Sequence, residues 1–237
     1  MITFASITKD CRRWHAPCLC VRGEASMAAP HEILAGMSEI ANHGLAFAVA
    51  WHVVIGAALI STTQGWRPSP RMCGALLIVP FVSVAVFGWA IGDLLNGALF
   101  SLAAGVLALI AWKSSRAEMP RSRWATALGA ALVLFAWVYP HFLHTSTALA
   151  YLVASPMGLI PAPSLALVIG FSLLGYCPAG RGWSLTVAGF SLFYAVFGAL
   201  RLGLMIDLVL VVGALGLATR ALGRQSRPFE RRLQLVS

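Results

Sequence analysis

The sequence predicts an all-α integral membrane protein, a bundle of about seven transmembrane helices with a re-entrant or interfacial proline-rich segment before helix five. Composition is the first ground for this class. Of the 237 residues, 59% are hydrophobic and 11% are charged, whereas soluble domains carry about 25% charged residues. The mean hydropathy is +0.82. Lipid accepts apolar side chains on every face of a helix, which a soluble surface does not.

The distribution of basic residues is the second ground, and it orients the bundle. The loops after predicted helices one, three and five and the C-terminal tail hold 2, 4, 1 and 5 Lys or Arg residues, and the opposite loops hold only Arg201. Basic loops are retained in the cytoplasm. We therefore expect a bacterial inner-membrane protein with a cytoplasmic C-terminus and with the N-terminus and the 140–162 loop outside.

The chain divides into an N-terminal segment (residues 1–43), a transmembrane domain (44–219) and a basic cytoplasmic tail (220–237). The N-terminal segment lacks the apolar core of a signal peptide. We expect it to be partly disordered, with Met1 or Met27 as the first residue of the chain. The net charge of +9 does not predict nucleic-acid binding, because no segment is long enough to form a soluble basic face.

The N-terminal segment also carries two weaker patterns. Cys18 and Cys20 resemble a metal-binding tract but lack the further ligands at fixed spacing that a site needs. Five scattered cysteines do not predict a disulfide framework. Residues 31–42 place apolar side chains on one side and Glu32 and Glu39 on the other, which predicts a short interfacial helix.

Seven apolar stretches supply the helices of the transmembrane domain. A helix of about 20 residues crosses a hydrocarbon core of about 30 Å. The predicted helices, one to seven in chain order, occupy residues 44–63, 72–90, 95–112, 124–139, 161–177, 182–200 and 202–219. Proline at position 140 is expected to bend the end of the fourth helix, because proline lacks a backbone donor.

The fifth helix begins at Pro161 or Pro163, since proline suits a first helical turn. Residues 164–177 would span only about 21 Å at the standard rise. Part of 146–155 is therefore expected to dip into the membrane as a re-entrant or interfacial piece. Such backbone must be buried against protein.

Ionisable side chains near or inside the spans are the candidate site residues. His141 and His144 would share a face on a continuing helix, where they could hold a metal or a haem edge or relay protons; alternatively they bond headgroups or loop carbonyl groups. His52 lies near the middle of predicted helix one. It is either a haem ligand or, lacking a second histidine at its depth, a core histidine bonded to a helix carbonyl group.

Asp207 is the only acid well inside a predicted span. An intramembrane carboxylate is a functional hypothesis by default, although a structural hydrogen bond is an equal alternative. Arg201 lies six residues earlier, about 9 Å along a helix, and is a poor partner. His52, Asn96 or Tyr194 could meet Asp207 instead.

Several activities lack their sequence signatures. No lysine lies in a predicted span, which excludes a retinal Schiff base. The chain has no H-E-x-x-H, G-x-S-x-G or phosphate-loop motif. Asp93, in the predicted outer turn, is interpreted as a solvated loop acid. An enzyme is the less favoured class.

The stretch from Tyr139 to Leu174, with the sequence YP…SPMGLIPAPSLALVIGFSLL, resembles a signature of an uncharacterised family of small bacterial multi-pass inner-membrane proteins, known as a domain of unknown function. Residues 96–112 resemble the family's third helix. The family often has a cysteine between two prolines where this chain has Ala162, which argues against cysteine chemistry. The resemblance implies a topology and no activity.

These observations lead to three hypotheses. The first is a non-enzymatic membrane protein that binds or transports a small solute or ion without a cofactor, at an outer site between helices one, three, four and seven. The candidate lining is His52, Asn96, His141, His144 and Asp207. The second is a redox subunit in which histidines bind haem b or copper. The third is a structural or assembly subunit. The expected partners are the lipid bilayer, and other membrane subunits or a homo-oligomer.

Overall fold

The computed structural model describes residues 29–66, 68–113, 122–145, 147–175 and 180–223. All regular structure within these ranges is helical. The helices are α1 Pro30–His43, α2 Leu45–Thr63, α3 Pro70–Ala90, α4 Leu94–Lys113, α5 Arg123–Trp137, α6 Tyr151–Ala154, α7 Pro161–Leu174, α8 Arg181–Arg201 and α9 Val209–Leu222. Short 3-10 helices lie at Ala148–Ala150 and Met205–Leu208. The predictions for Cys18, Cys20 and the tail beyond residue 223 lie outside the described residues.

Five of the helical stretches are long and apolar enough to cross a membrane. They are α2, α3, α4, α8 and the stretch Met205–Leu222, which includes α9. This finding agrees with the predicted α-helical membrane bundle. Two further apolar helices, α5 and α7, have 15 and 14 residues. Because both fall short of a full crossing, the count of seven spans stays a prediction.

The short helix α7 lies at the centre of the bundle. Every residue from Pro161 to Leu173 is buried, and a helix that is apolar on all sides suits such an enclosed position. Pro161 occupies the first turn, where a missing N–H is tolerated. Gly175 ends the helix with a φ of +82°, a conformation that suits a residue without a Cβ. The helix therefore ends before the predicted Cys177.

Two glycines bring α5 and α7 into backbone contact. A Cβ on Gly170 would lie 2.8 Å from the carbonyl oxygen of Gly129, and a Cβ on Gly129 would lie 2.8 Å from the carbonyl oxygen of Gly170. Small residues at such positions permit the close approach of membrane helices. This close contact joins the middle of α5 to the second half of α7.

The proline-rich segment between α5 and α7 has little regular structure apart from the 3-10 helix Ala148–Ala150 and α6. Residues 154–160 are buried inside the protein. Gly158 has a φ of +78°, and the indole ring of Trp51 occupies the space where its Cβ would be. The entry of this segment into the membrane stays a prediction.

Helix α1 lies within the predicted interfacial segment and covers one end of the bundle. Its apolar face, with Met37 and Ile40, packs in a separate cluster with Leu159, Ile160 and Leu202. Those three residues belong to the start of α7 and the turn after α8. Helix α1 therefore packs over the elements that carry the buried polar residues.

Candidate functional site

Asp207 lies in the connection between α8 and α9. α8 ends at Arg201, Gly203 adopts a φ of +73°, and the 3-10 helix Met205–Leu208 precedes α9. The sequence predicted a continuous helix over 202–219, so its start was placed too early. Asp207 is 5% exposed, and Arg201 is exposed. The buried carboxylate is therefore presented by irregular backbone, as in many membrane transport sites.

The Tyr139 hydroxyl group donates a hydrogen bond of 2.8 Å to Asp207 Oδ1. Tyr139 is fully buried and lies two residues beyond the end of α5, next to Pro140. Asp207 Oδ2 lies against Gly198 of α8, where a Cβ would overlap it. Among the described residues, the hydrogen bond to this carboxylate comes from a neutral phenol and not from a Lys or Arg side chain.

A second set of buried polar side chains begins with Tyr194, which lies one helical turn before Gly198 on α8. The Tyr194 hydroxyl group donates a hydrogen bond of 2.8 Å to Asn96 Oδ1. Asn96 Nδ2 in turn donates to Asp93 Oδ2 at 2.7 Å, and the Asn96 backbone N–H donates to Asp93 Oδ1 at 3.1 Å. Asp93 is half-buried and caps the first turn of α4, where a carboxylate is favoured. It is thus a structural partner of Asn96, in addition to being a turn residue.

A small cavity joins the two groups. Tyr139, Tyr194 and Asp207 line it together with Met37 of α1 and Phe142. Its volume is about 10 Å³, close to the space that one water molecule requires. The structure therefore places two predicted residues, Asn96 and Asp207, in neighbouring parts of one polar region. Tyr194 was an expected neighbour of Asp207 and is found beside the same cavity.

His52 lies apart from this cavity and is held by backbone. Its Nδ1 lies 2.8 Å from the carbonyl oxygen of Ala48, and its Nε2 lies 3.1 Å from that of Trp137. The Trp137 ring packs edge-on against the imidazole at 4.9 Å. A metal at either nitrogen would displace one of these contacts. The haem or copper hypothesis stays a prediction.

His141 and His144 do not lie on a continuing helix, because α5 ends at Trp137. Nε2 of His144 is 3.1 Å from the Ser38 hydroxyl oxygen on α1. The ring of His141 packs 5.5 Å from the ring of Tyr139, and its Nδ1 is buried without a partner among the described residues. Both histidines are therefore near the Asp207 end of the bundle, but neither contacts the carboxylate.

Asn42 is a residue of this region that the sequence did not single out. Its Nδ2 donates to the carbonyl oxygen of Phe142 at 2.8 Å, and its Oδ1 accepts from the backbone N–H of His144 at 2.9 Å. Phe142 has a φ of +76°, a conformation that is costly for a bulky residue. The amide of Asn42 thus holds a strained loop under α1. In the sequence, Asn42 is distinguished only as a polar residue at the end of an otherwise apolar face of α1.

The described residues contain no group of three or more His, Cys, Asp or Glu side chains that could together hold a metal ion. The polar region instead offers two carboxylates (Asp93 and Asp207), two phenol hydroxyl groups and one amide. Comparison of the chain with protein-family models, curated proteins and solved structures found no match. The conclusions about function therefore rest on this geometry.

Proposed function

We propose that this protein is a multi-pass membrane protein that binds, and transports, a small monovalent cation, with Asp207 as the binding carboxylate. The observation that carries the proposal is the buried carboxylate of Asp207. The side chain is buried next to a cavity, and the hydrogen bond that the structure gives its carboxylate comes from the neutral phenol of Tyr139. Buried charges elsewhere in proteins are paired.

The size and charge of the site favour a proton or Na⁺ over larger solutes. One carboxylate balances one positive charge. A divalent cation such as Ca²⁺ would keep one unbalanced positive charge in this buried site, which is costly. The cavity of about 10 Å³ holds one water molecule or an ion of similar size. The Asp93–Asn96–Tyr194 chain lies between this cavity and the turn at the end of α3.

We also propose that the chain crosses a bacterial inner membrane seven times, with α1 and the Asp207 end outside. The positive charge of the loops at the opposite end supports this orientation. The complete enclosure of α7 supports its inclusion in the bundle despite its length, because an enclosed helix does not need to match the thickness of the lipid.

The proposal is tested by measuring the thermal stability of the purified protein in NaCl, KCl and choline chloride at constant ionic strength and at several pH values. A bound ion stabilises the folded state by mass action. We expect Na⁺ or pH to shift the melting temperature of the wild type and not that of Asp207→Asn. Glu39→Gln, a change at an exposed acid of α1, is the matched control and should respond as the wild type does. An equal response of wild type and Asp207→Asn to every ion and pH would refute the proposal.

A further inference from the structure

Helix α1 covers the cavity beside Asp207. Met37 of α1 lines this cavity together with Phe142, from the segment after α5, and Leu202, at the end of α8. Met37 is buried and packs with Ile160 and Leu202 in the cluster under α1. Asp207 lines the same cavity and is also buried. A ligand that approaches the carboxylate from the α1 end of the bundle therefore meets α1 and Met37.

The side chains of α1 make polar contacts with one other part of the described chain, residues 142–144. Asn42 Nδ2 donates a hydrogen bond of 2.8 Å to the carbonyl oxygen of Phe142, and the Ser38 hydroxyl group donates one of 3.2 Å to the same oxygen. Asn42 Oδ1 accepts from the backbone N–H of His144 at 2.9 Å, and Ser38 Oγ lies 3.1 Å from Nε2 of His144. These contacts of Ser38 and Asn42 form a latch between α1 and the loop.

The covalent connection between α1 and α2 is a single residue. Helix α1 ends at His43 and α2 begins at Leu45, so Gly44 alone joins them. A Cβ on Gly44 would lie 2.8 Å from Cδ1 of Leu159, so this close approach requires glycine. Residues at the ends of helices commonly absorb the backbone rotation of a hinge. A rotation at Gly44 would move α1 as a unit.

The loop side of the latch has a costly backbone conformation. Phe142 has a φ of +76°, which a bulky residue adopts only when surrounding contacts hold it there. The two hydrogen bonds to its carbonyl oxygen supply such contacts. Phe142 also lines the cavity. Opening of the latch would therefore release two lining residues together, Met37 and Phe142.

We propose that α1 is a lid over the Asp207 cavity, hinged at Gly44 and held closed by the latch to Phe142, and that the ligand enters and leaves when the latch opens. This inference rests on the proposed function, because it names the entrance to the proposed cation site. In the closed lid, Met37 and Phe142 separate the carboxylate from the solution at the α1 end. Lids that close over a site exclude water and control ligand release.

The rate at which a water-soluble carbodiimide couples an amine to Asp207 tests the lid, because the reagent modifies only a carboxyl group that it can reach. Peptide mass spectrometry of the full-length protein in detergent measures this rate at constant pH. We expect Asn42→Ala, which removes two hydrogen bonds of the latch, to accelerate the labelling of Asp207 about tenfold, the effect of two hydrogen bonds on an opening equilibrium. Met37→Ala removes the α1 side chain that lines the cavity and should also accelerate it.

Ala35→Ser is the matched control, because Ala35 is exposed on α1 and the change leaves its charge unaltered; it should label as the wild type does. Asp93 is the internal reference, since it is held by two hydrogen bonds from Asn96 and does not line the cavity. Its labelling should be the same in every folded variant. Ser38→Ala, which removes the remaining contacts of the latch, is the second test if faster labelling of Asp93 shows that Asn42→Ala is unfolded.

Labelling of Asp207 at the wild-type rate in both Asn42→Ala and Ser38→Ala would overturn the lid. This failure differs from failure of the cation site. Faster labelling in the latch variants of a protein that shows no Asp207-dependent response to Na⁺ or pH would support the lid and refute the cation site. Unchanged labelling together with such a response would refute the lid alone.

Discussion

At the scale of single residues, the Tyr139 hydroxyl group supports the carboxylate of Asp207. A hydrogen bond to a charged group contributes about 1.5–3 kcal/mol, which offsets only part of the cost of burying a carboxylate. The second oxygen lies against Gly198. The remaining cost is what a bound cation would remove, and this is the physical basis of the proposed affinity.

The substitution Gly198→Ala tests the space around Asp207 Oδ2. The added Cβ would overlap Asp207 Oδ2, so the carboxylate must move and the bond to Tyr139 must lengthen. We expect a loss of about 1–3 kcal/mol in the free energy of unfolding, typical of overpacking, and loss of any response to Na⁺ or pH. Chemical denaturation in detergent measures the free energy of unfolding, and the melting temperature measures the response to Na⁺ or pH.

Gly189→Ala, on the same helix, is the control, because nothing lies within 4 Å of its Cβ position. It should be neutral or slightly stabilising, since alanine is favoured over glycine in a helix by about 1 kcal/mol. Equal stabilities of the two variants would contradict the described position of the carboxylate.

The sequence could predict the candidates at this scale but not their partners. Asp207, His52 and Asn96 are conspicuous because polar groups are rare in apolar spans. Tyr139, 68 positions from Asp207, is conspicuous only as the residue before a proline. A contact across that separation depends on how α5 and α9 pack, and the pattern of a single chain does not encode it.

At the scale of the elements, the pair α5 and α7 sets the position of Tyr139. Contact through Gly129 and Gly170 leaves no room for a side chain between the two backbones. The residues after α5 therefore approach the α8–α9 turn, and the phenol reaches Asp207. The site depends on this packing although neither glycine touches it.

Gly170→Ala should separate α5 from α7. Its Cβ would lie 2.7 Å from Val133 Cγ2 and 2.8 Å from the carbonyl oxygen of Gly129, and the second of these is backbone that cannot rotate away. We expect a loss of about 1–3 kcal/mol or more in stability, measured by denaturation in detergent. Gly105→Ala on α4, which has open space around its Cβ, is the control. If Gly170→Ala and Gly105→Ala have equal free energies of unfolding, the close contact between α5 and α7 is absent.

The sequence predicts the ends of helices where the composition changes, but not where tertiary contacts determine the end of a helix. The shortness of α7 follows from its prolines and Gly175. The end of α5 at Trp137 was expected up to two residues later, and the loop that follows removes His141 and His144 from any shared helix face. Asn42 holds that loop from α1, a contact that spans 102 positions to His144 and leaves no local signal.

At the scale of the whole molecule, all the polar contacts of the candidate site lie at one end of the bundle. The Asp93 turn, the α8–α9 break, residues 139–144 and α1 meet there, whereas the basic loops lie at the other ends of their helices. A protein with this arrangement would present its cation site to the outside and its basic tail to the cytoplasm.

Reporter fusions in a bacterial host test the proposed seven crossings. An enzyme that is active only outside the cytoplasm should be silent after Lys113 and after Gly175, and active after Asp93 and after Thr145. If α5 does not cross the membrane, the fusions after Lys113 and Thr145 will behave alike. If α7 does not cross, the fusions after Thr145 and Gly175 will behave alike. Activity of a fusion after Leu222 would reverse the predicted orientation.

The most direct measurement of the central claim is isothermal titration calorimetry of the purified protein with NaCl, at two pH values, for the wild type, Asp207→Asn and Glu39→Gln. The account predicts saturable binding of one Na⁺ by the wild type and by Glu39→Gln, weakened at low pH by competition with protons, and no saturable heat from Asp207→Asn. Saturable Na⁺ binding that persists unchanged in Asp207→Asn would contradict the account, and its absence from the wild type would contradict Na⁺ as the ligand.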